Sequence, residues 1–214
     1  MHDYDAYLFD WDGTLARTLE LWLQEIYAQC QAYGLTAGPA DVAREFGDLK
    51  WPLRFGLPEH LLHTFQSGVN DHVQTRLPNV ALYDNAYDML MQLRQNGKKL
   101  ALITTSLRSS LESLMDRHGV TELFDVIITS EDVQHHKPDP EGIKLALTQL
   151  DVPASRAVML GDSDKDLLAA KNAGVHSALF YPPNHEPLLD LSELQTHGPR
   201  YTIRAWQELL NQLQ

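Results

Sequence analysis

Tyr7-Leu8-Phe9-Asp10-Trp11-Asp12-Gly13-Thr14-Leu15 is the stretch from which the fold of this chain can be worked out. A short apolar run that reaches a turn signal is typical of a buried strand in a parallel sheet, and such strands carry chemistry at their carboxyl ends. If the backbone turns at Gly13, Asp10 and Asp12 can project into one pocket, where one carboxylate attacks phosphorus and the other moves a proton. Aspartate and glycine are also common in turns, so an edge strand that runs into a polar turn stays open here.

The composition limits the partners of the chain. It carries 17 basic and 29 acidic side chains, a formal net charge of −12, and 43% hydrophobic residues, enough for a real core. Nucleic acid and anionic membranes need basic surface, so we expect neither as a partner. The single cysteine, Cys30, suits a reducing compartment. No stretch approaches transmembrane length and no apolar signal core is present, so we expect a cytoplasmic protein.

Strand-like and helix-like stretches alternate along most of the chain. After the first strand, further strands are predicted at residues 98–104, 124–129, 157–160 and 177–181. Asp139 is predicted to be the N-cap of a helix with Pro140 at its first position. Pro182–Pro199 is predicted to be a loop, and Ile203–Leu213 a closing helix. Repeated β–α alternation predicts an α/β fold in which helices cover both faces of a parallel sheet.

A helical block interrupts this alternation between the first two strands. Residues 17–33 and 59–77 have helical spacing, and no strand-like run followed by a helix occurs at residues 37–77. We interpret the block as a small α-helical cap inserted into the core. The predicted domains are a discontinuous catalytic core of residues 1–15 and 82–214 and a cap of residues 16–81, which is where we expect substrate identity to be decided.

Polar side chains follow each of the first four predicted core strands. They are Asp10 and Asp12, then Thr104-Thr105-Ser106, then Lys137, and finally Asp162 with Asp166 close behind. The carboxyl ends of parallel strands share one edge of a sheet, so these groups should converge. Clustered carboxylates repel unless a cation lies among them, and an all-oxygen set favours Mg²⁺. Thr104 and Lys137 would hold phosphoryl oxygens, which is most of what phosphoryl transfer asks of a protein.

Four pieces of sequence, in this order, resemble the haloacid dehalogenase-like hydrolase superfamily. They are Asp10-Trp11-Asp12-Gly13-Thr14, Thr104-Thr105-Ser106, Lys137-Pro138-Asp139-Pro140 and Gly161-Asp162-Ser163-Asp164-Lys165-Asp166. The position of the insertion is similar to that of the phosphoglycolate phosphatase-like and β-phosphoglucomutase-like branch. The resemblance implies a Rossmann-like three-layer core with a small helical cap.

The resemblance also implies roles for individual residues. Asp10 attacks phosphorus and forms an aspartyl-phosphate, and Asp12 protonates the leaving oxygen and then activates water. Thr104 and Lys137 bind the phosphoryl group, and Thr105 beside Thr104 is a further candidate for substrate binding. Mg²⁺ is held by four groups: the Asp10 carboxylate, the main-chain carbonyl of Asp12, Asp162 and, in support, Asp166.

Several readings of function stay open. We expect a Mg²⁺-dependent phosphatase that hydrolyses a small phosphorylated metabolite, working as a monomer or a homodimer. A phosphosugar mutase of the same fold would need cap residues that bind the retained phosphate. Arg44, Lys50 and Arg54 are the candidates, and the alternative for all three is a solvated helix face or loop. A 2-haloacid dehalogenase would need neither a metal nor proton transfer by Asp12. A non-enzymatic phospho-acceptor module would have no use for the cap.

Overall fold

A six-stranded parallel sheet forms the centre of the structure, a computed structural model that describes residues 4–45 and 50–213. The strands are β1 (Ala6–Phe9), β2 (Lys99–Ile103), β3 (Val126–Ile128), β4 (Ala157–Gly161), β5 (His176–Phe180) and β6 (Tyr201–Ile203). They lie in the order β3-β2-β1-β4-β5-β6, and every neighbouring pair is parallel. The strand order reverses beside β1, which is where open α/β sheets form their sites.

Helices cover both faces of this sheet. The α-helices within the described residues are α1 (Thr18–Ala32), α2 (Pro39–Arg44), α3 (Leu62–Arg76), α4 (Ala86–Gln95), α5 (Arg108–His118), α6 (Glu141–Leu150), α7 (Asp164–Ala173), α8 (Leu191–Thr196) and α9 (Trp206–Leu213). Along β1, Tyr7 and Phe9 belong to one apolar core, which also contains residues of α4, α5 and α9. Ala6 and Leu8 belong to a second core with residues of α6 and α7. Successive side chains of β1 therefore point to opposite faces of the sheet, and the helices on each face complete the three layers of the predicted α/β fold.

The first strand is apolar throughout because it is surrounded. β1 lies between β2 and β4, and Leu8 is in register with Ala101 on one side and Met159 on the other. All four residues of β1 are buried. A strand with neighbours on both edges and helices on both faces has no position for a polar side chain until it ends. The first position that can be polar is therefore Asp10.

The helical segment between β1 and β2 joins the sheet through two adjacent stretches of backbone. The Arg17 N–H donates to the Ala81 carbonyl (3.0 Å), and the Tyr83 N–H donates to the Leu15 carbonyl (2.9 Å). Between these points α1 packs against α3. The chain therefore leaves the sheet and returns to it side by side, which is the geometry of an insertion.

The division into a core of residues 1–15 and 82–214 and a cap of residues 16–81 stays a prediction. The two crossings at the ends of the helical segment are compatible with it. Parts of the predicted ranges, namely residues 1–3, 46–49 and 214, lie outside the described residues. Within the described part of the chain, no helix is both long and apolar enough to cross a bilayer.

Three local predictions were wrong. Residues 182–199 are not loop throughout, because α8 begins after Asp190, whose side chain accepts hydrogen bonds from the N–H groups of Ser192 and Glu193. The closing helix starts at Trp206, and Tyr201–Ile203 forms β6 instead, because it can pair with β5. Pro140, not Asp139, is the N-cap residue of α6; the Asp139 carboxylate accepts from the Glu141 N–H (2.9 Å) one residue earlier in the turn.

Candidate active site

Asp10 comes directly after β1 at the carboxyl edge of the sheet. Its N–H continues the strand ladder by donating to the Leu160 carbonyl (2.9 Å), and the residue is only 6% exposed. The chain then turns at Gly13, whose φ of 77° lies in the region that favours glycine. A Cβ atom at Gly13 would lie 2.4 Å from Oδ2 of Asp162. The turn therefore requires glycine both for its backbone conformation and for the space beside Asp162.

Lys137 brings a positive charge to Asp10 from the segment between β3 and α6. Its Nζ donates to Oδ1 of Asp10 (2.5 Å), to Oδ1 of Asp166 (2.6 Å) and to the main-chain carbonyl of Ile103 (3.1 Å). The side chain is 8% exposed. Each of the three ammonium protons thus has an acceptor, and groups from three different elements fix the position of the lysine.

Asp162 and Asp166 come from the junction between β4 and α7. Ser163 is the N-cap of α7, and Oδ2 of Asp166 accepts from its N–H (3.2 Å) and its hydroxyl (2.6 Å). A Cβ at Gly161 would lie 2.3 Å from Cγ of Asp166, so the strand must end in glycine for Asp166 to reach this place. The Thr14 hydroxyl donates to Oδ1 of Asp162 (3.2 Å) and connects this junction to the turn after β1.

Three buried carboxylates share one lysine. One oxygen each of Asp10, Asp162 and Asp166 lies within 4.8 Å of the others. Burial raises the pKa of Asp10 to about 7; Lys137 opposes this rise, while the charges of Asp166 and Asp12 add to it. Burial, followed by the charges of Asp166 and Asp10, raises the pKa of Asp162 well above its usual value. Burial alone would lower the pKa of Lys137, but the charges of Asp10 and Asp166 outweigh it and raise that pKa.

The donor set fits a hard divalent cation. When ionised, the three carboxylates carry two more negative charges than Lys137 neutralises. Oxygen ligands are the ones that Mg²⁺ prefers, and a charge of +2 would balance the remainder. Oδ2 of Asp162 packs against Gly13, so the missing Cβ leaves the room that this carboxylate occupies. The residues present therefore fit a magnesium ion beside Asp10 and Asp162.

The turn after β2 contributes hydroxyl groups. Thr104 is 4% exposed, and its Oγ1 accepts a hydrogen bond from the Ser106 N–H (3.0 Å). The Ser106 hydroxyl in turn donates to Oδ2 of Asp12 (2.6 Å). Thr105 is exposed and lines a narrow cleft together with Lys137. The turn thus places the hydroxyl groups of Thr104 and Ser106 at the carboxyl edge of the sheet, and that of Ser106 contacts Asp12 directly.

A family model described as haloacid dehalogenase-like hydrolase matches residues 7–180, which is most of the chain and includes every residue of the carboxylate cluster. The chain belongs to this hydrolase family. The predicted resemblance is therefore confirmed, and so are the α/β fold of the family and the prediction that the chain is an enzyme.

Named relatives and solved structures that are similar to this chain are consistent with the family assignment. The chain is 34% identical over 186 residues to pyrophosphatase PpaX of Bacillus velezensis, a match that covers 81% of each chain. Its structure is similar to that of a haloacid dehalogenase-like hydrolase from Bacteroides fragilis, with a TM-score of 0.79, 27% identity, and coverage of 96% of this chain and 99% of that one. It is also similar to CbbY from Rhodobacter sphaeroides in complex with phosphate (TM-score 0.72, 28% identity, 96% of each chain).

The structure brings the predicted core residues of this family to one edge of the sheet. Hydrogen bonds connect Asp10, Lys137 and Asp166, and Asp162 lies beside them. Asp12 and Thr104 each form a hydrogen bond with Ser106. The catalytic, phosphoryl-binding and metal-binding roles of these residues stay predictions.

The two predicted cap arginines lie outside this cluster. Arg44 contacts Asp41 (2.6 Å) and Glu45 (3.6 Å), and Arg54 also contacts Glu45. Their side chains are 64% and 51% exposed. Both guanidinium groups thus pair with acids of their own helical segment, and their predicted contact with substrate stays a prediction.

No individual role was predicted for three hydroxyl groups of the site. Thr14 and Ser106 donate to Asp162 and Asp12, and Ser163 donates to Asp166. Ser163 could have been found from its spacing, because a serine followed three residues later by an acid is a capping signal. Ser106 and Thr14 have no such local signal, since their partners are distant in sequence.

Proposed function

We propose that the protein is a Mg²⁺-dependent phosphatase that hydrolyses a small phosphorylated substrate through an aspartyl-phosphate on Asp10. The observation that carries the proposal is the pairing of two different carboxylates at the end of one strand. Asp10 is buried and held by Lys137, as a nucleophile should be. Asp12 is half-buried with a hydroxyl partner, and so is accessible for proton transfer.

The first step of the proposed reaction transfers the phosphoryl group to Asp10. Lys137 occupies Oδ1 of Asp10, which leaves Oδ2 to attack phosphorus. As the new bond forms, the bond from phosphorus to the leaving oxygen breaks, and Asp12 gives its proton to that oxygen. Lys137 and Thr104 would bind the phosphoryl oxygens and stabilise the charge that these oxygens carry in the transition state.

The second step regenerates the enzyme. A water molecule attacks the phosphorus of the aspartyl-phosphate, Asp12 accepts the proton of that water, and the bond between phosphorus and Asp10 breaks to release inorganic phosphate. Asp12 is then protonated again and Asp10 is a free carboxylate. The same pair of residues therefore serves both steps, with Asp12 first as acid and then as base.

The metal would be held by Asp10, the main-chain carbonyl of Asp12 and Asp162, with Asp166 in support. Both Asp166 oxygens accept hydrogen bonds, from Lys137 and from Ser163, which suits a residue that orients the others. When bound, Mg²⁺ would supply charge neutralisation and orientation for attack on phosphorus. The lysine and the hydroxyl groups position the reacting oxygens around it.

The substrate is proposed at the level of a class. The helical segment at residues 16–81 would act as the cap over the site, and Thr105, Arg44 and Arg54 would contact the substrate. Inorganic pyrophosphate is the first compound to test, because the relatives with 28–34% identity are named pyrophosphatases. The net charge of −12 argues against nucleic-acid and membrane partners. We expect the protein to act in the cytoplasm as a monomer or homodimer.

The test compares wild type with Asp10→Asn at the same Mg²⁺ concentration. Phosphate release is measured from p-nitrophenyl phosphate, pyrophosphate and a panel of phosphorylated metabolites. Wild type should release phosphate only with Mg²⁺, and Asp10→Asn should release none. Asp164→Asn removes an exposed acid at the start of α7 and is the matched control that should keep full activity. Activity in Asp10→Asn comparable to that of wild type would overturn the proposal. Chloride release from 2-haloacids without Mg²⁺ would instead favour a haloacid dehalogenase.

A further inference from the structure

A serine with no predicted role of its own contacts the proposed acid–base residue. The Ser106 hydroxyl donates to Oδ2 of Asp12 at 2.6 Å, although the two residues are 94 positions apart in sequence. A distance of 2.6 Å lies within the usual range for a hydrogen bond between a hydroxyl group and a carboxyl oxygen. The contact joins the turn after β2 to the turn after β1.

The backbone of Ser106 is held on both sides. Its N–H donates to Oγ1 of Thr104 (3.0 Å), and its carbonyl accepts from the N–H (3.2 Å) and the hydroxyl (3.3 Å) of Ser130, just after β3. Two neighbouring strands of the sheet thus set the position of the Ser106 Cα. The hydroxyl is therefore preorganised on a rigid frame before any substrate arrives.

This contact makes the two oxygens of Asp12 different. Oδ2 accepts from Ser106, whereas no protein group in the described part of the chain donates to Oδ1. Oδ1 is therefore the oxygen of Asp12 that stays available to a substrate or a water molecule. The bond also restricts rotation of this half-buried carboxyl group.

We infer that Ser106 is a positioning residue for proton transfer, which holds the carboxyl group of Asp12 so that Oδ1 faces the leaving oxygen. The inference rests on the proposed phosphatase function. In the first step the proton passes from Oδ1 to the leaving oxygen as the phosphorus–oxygen bond breaks. In the second step Oδ1 accepts the proton of the attacking water. Ser106 loses and gains no proton in either step, because its hydroxyl stays a donor to Oδ2.

The position of Ser106 also allows a simpler role as a substrate contact. A serine that only bound the phosphoryl group would contribute equally to every phosphate ester, whatever the leaving group. A serine that orients the acid matters only when the leaving oxygen needs a proton. The two roles therefore differ in how the loss of Ser106 depends on the leaving group.

The experiment measures kcat/KM of Ser106→Ala for a series of phosphate esters whose leaving groups range from p-nitrophenolate to an alkoxide. This parameter reports the steps up to the aspartyl-phosphate, in which Asp12 acts as the acid. We expect a loss of about tenfold for the alkyl phosphate and less than about twofold for p-nitrophenyl phosphate, which departs without protonation. Ser106→Thr keeps a hydroxyl and should restore alkyl phosphate hydrolysis. Ser109→Ala, at an exposed position of α5, is the matched control.

The outcomes separate this inference from the proposed function. An equal loss for all leaving groups would make Ser106 a substrate contact and overturn the inference, as would full activity of Ser106→Ala on every ester. In either case an inactive Asp10→Asn would leave the phosphatase proposal standing. Activity in Asp10→Asn would instead remove the proposed function, on which the role of Ser106 depends. Circular dichroism of each variant identifies a loss that comes from misfolding.

Discussion

Replacing Lys137 with methionine tests how the charge of the site is balanced. Methionine fills a similar volume but has no charge, so the change removes the ammonium group that contacts both Asp10 and Asp166. Within residues 4–45 and 50–213, no other lysine or arginine contacts the carboxylates of Asp10, Asp162 and Asp166. The variant thus leaves three buried acids within 4.8 Å of one another without a counter-charge from the protein.

The size of the effect follows from burial and from pH. Removing one partner of a buried ion pair costs about 3–5 kcal/mol when the other partner stays charged. Protonation of a carboxyl group reduces this cost, and the pKa of Asp10 is already raised from 3.8 to about 7. The loss of Lys137 should raise it further. We therefore expect Lys137→Met to lower the free energy of unfolding by about 3 kcal/mol at pH 8 and by clearly less at pH 5.5.

The sign of the pH dependence is fixed by the carboxyl groups. An acid whose pKa is raised on folding binds more protons in the folded state than in the unfolded one. Stability contributed by such a group falls as the pH rises from 3.8 through the folded pKa, which is about 7 for Asp10. The raised pKa of Lys137 itself has no effect between pH 5.5 and 8, because the lysine is charged there in both states. The deficit of the variant must therefore grow with pH.

Urea unfolding in the presence of EDTA measures this deficit at pH 5.5 and pH 8. Lys165→Met, in the exposed first turn of α7, is the control for loss of a positive charge without a buried partner. Addition of Mg²⁺ at pH 8 should stabilise Lys137→Met more than wild type, since the variant has more negative charge for the ion to balance. A Lys137→Met variant as stable as Lys165→Met at pH 8, or a deficit that does not change with pH, would refute this account of the site.

Two further substitutions test the turn after β1 and a buried histidine. Gly13→Ala should lower both Tm and kcat/KM well beyond Gly34→Ala, because both positions have positive φ but only the Cβ at Gly13 would meet Asp162, at 2.4 Å; equal effects of the two changes would contradict the steric argument. Burial lowers the pKa of His185 from 6.5 to about 4, so wild type should lose about 3 kcal/mol of stability from this group as the pH falls through that range. His185→Gln keeps a hydrogen-bond partner for the Tyr83 hydroxyl, and its stability should therefore fall less than that of wild type between pH 7 and pH 4 in urea melts. An equal fall in both proteins would count against a neutral histidine.

The centre of the fold could be predicted because its local signals agree with its packing. In β1 an uninterrupted apolar run reflects burial on every side, and the polar residues start where the strand ends. The edge of the sheet is different. Tyr201–Ile203 is a strand of three residues with one neighbour, and only the pairing with β5 makes it a strand. Such a short segment carries no period that could be distinguished from the start of the following helix.

In the site, the positions of the main residues could be predicted, but the hydrogen bonds between them could not. Strand ends and a parallel order were enough to place Asp10, Lys137 and Asp162 together, because topology alone brings these positions to one edge. Individual hydrogen bonds could not be predicted. The bond from Ser106 to Asp12 depends on how the turn after β2 is held by Ser130, which no local pattern shows. The pairing of arginines in the helical segment likewise depends on side-chain positions that composition does not fix.

The charge of the site connects metal binding with substrate binding under the proposed function. With the three acids ionised, Lys137 leaves a net charge of about −2, and a phosphate ester that enters adds negative charge of its own. The repulsion would be greatest at Oδ2 of Asp10, the oxygen that must approach phosphorus. A divalent ion that occupied Asp10 and Asp162 first would remove most of this repulsion. Substrate affinity should therefore depend on Mg²⁺ even in a variant that cannot react, such as Asp10→Asn, where the chemistry is absent but the charge of Asp162 and Asp166 remains.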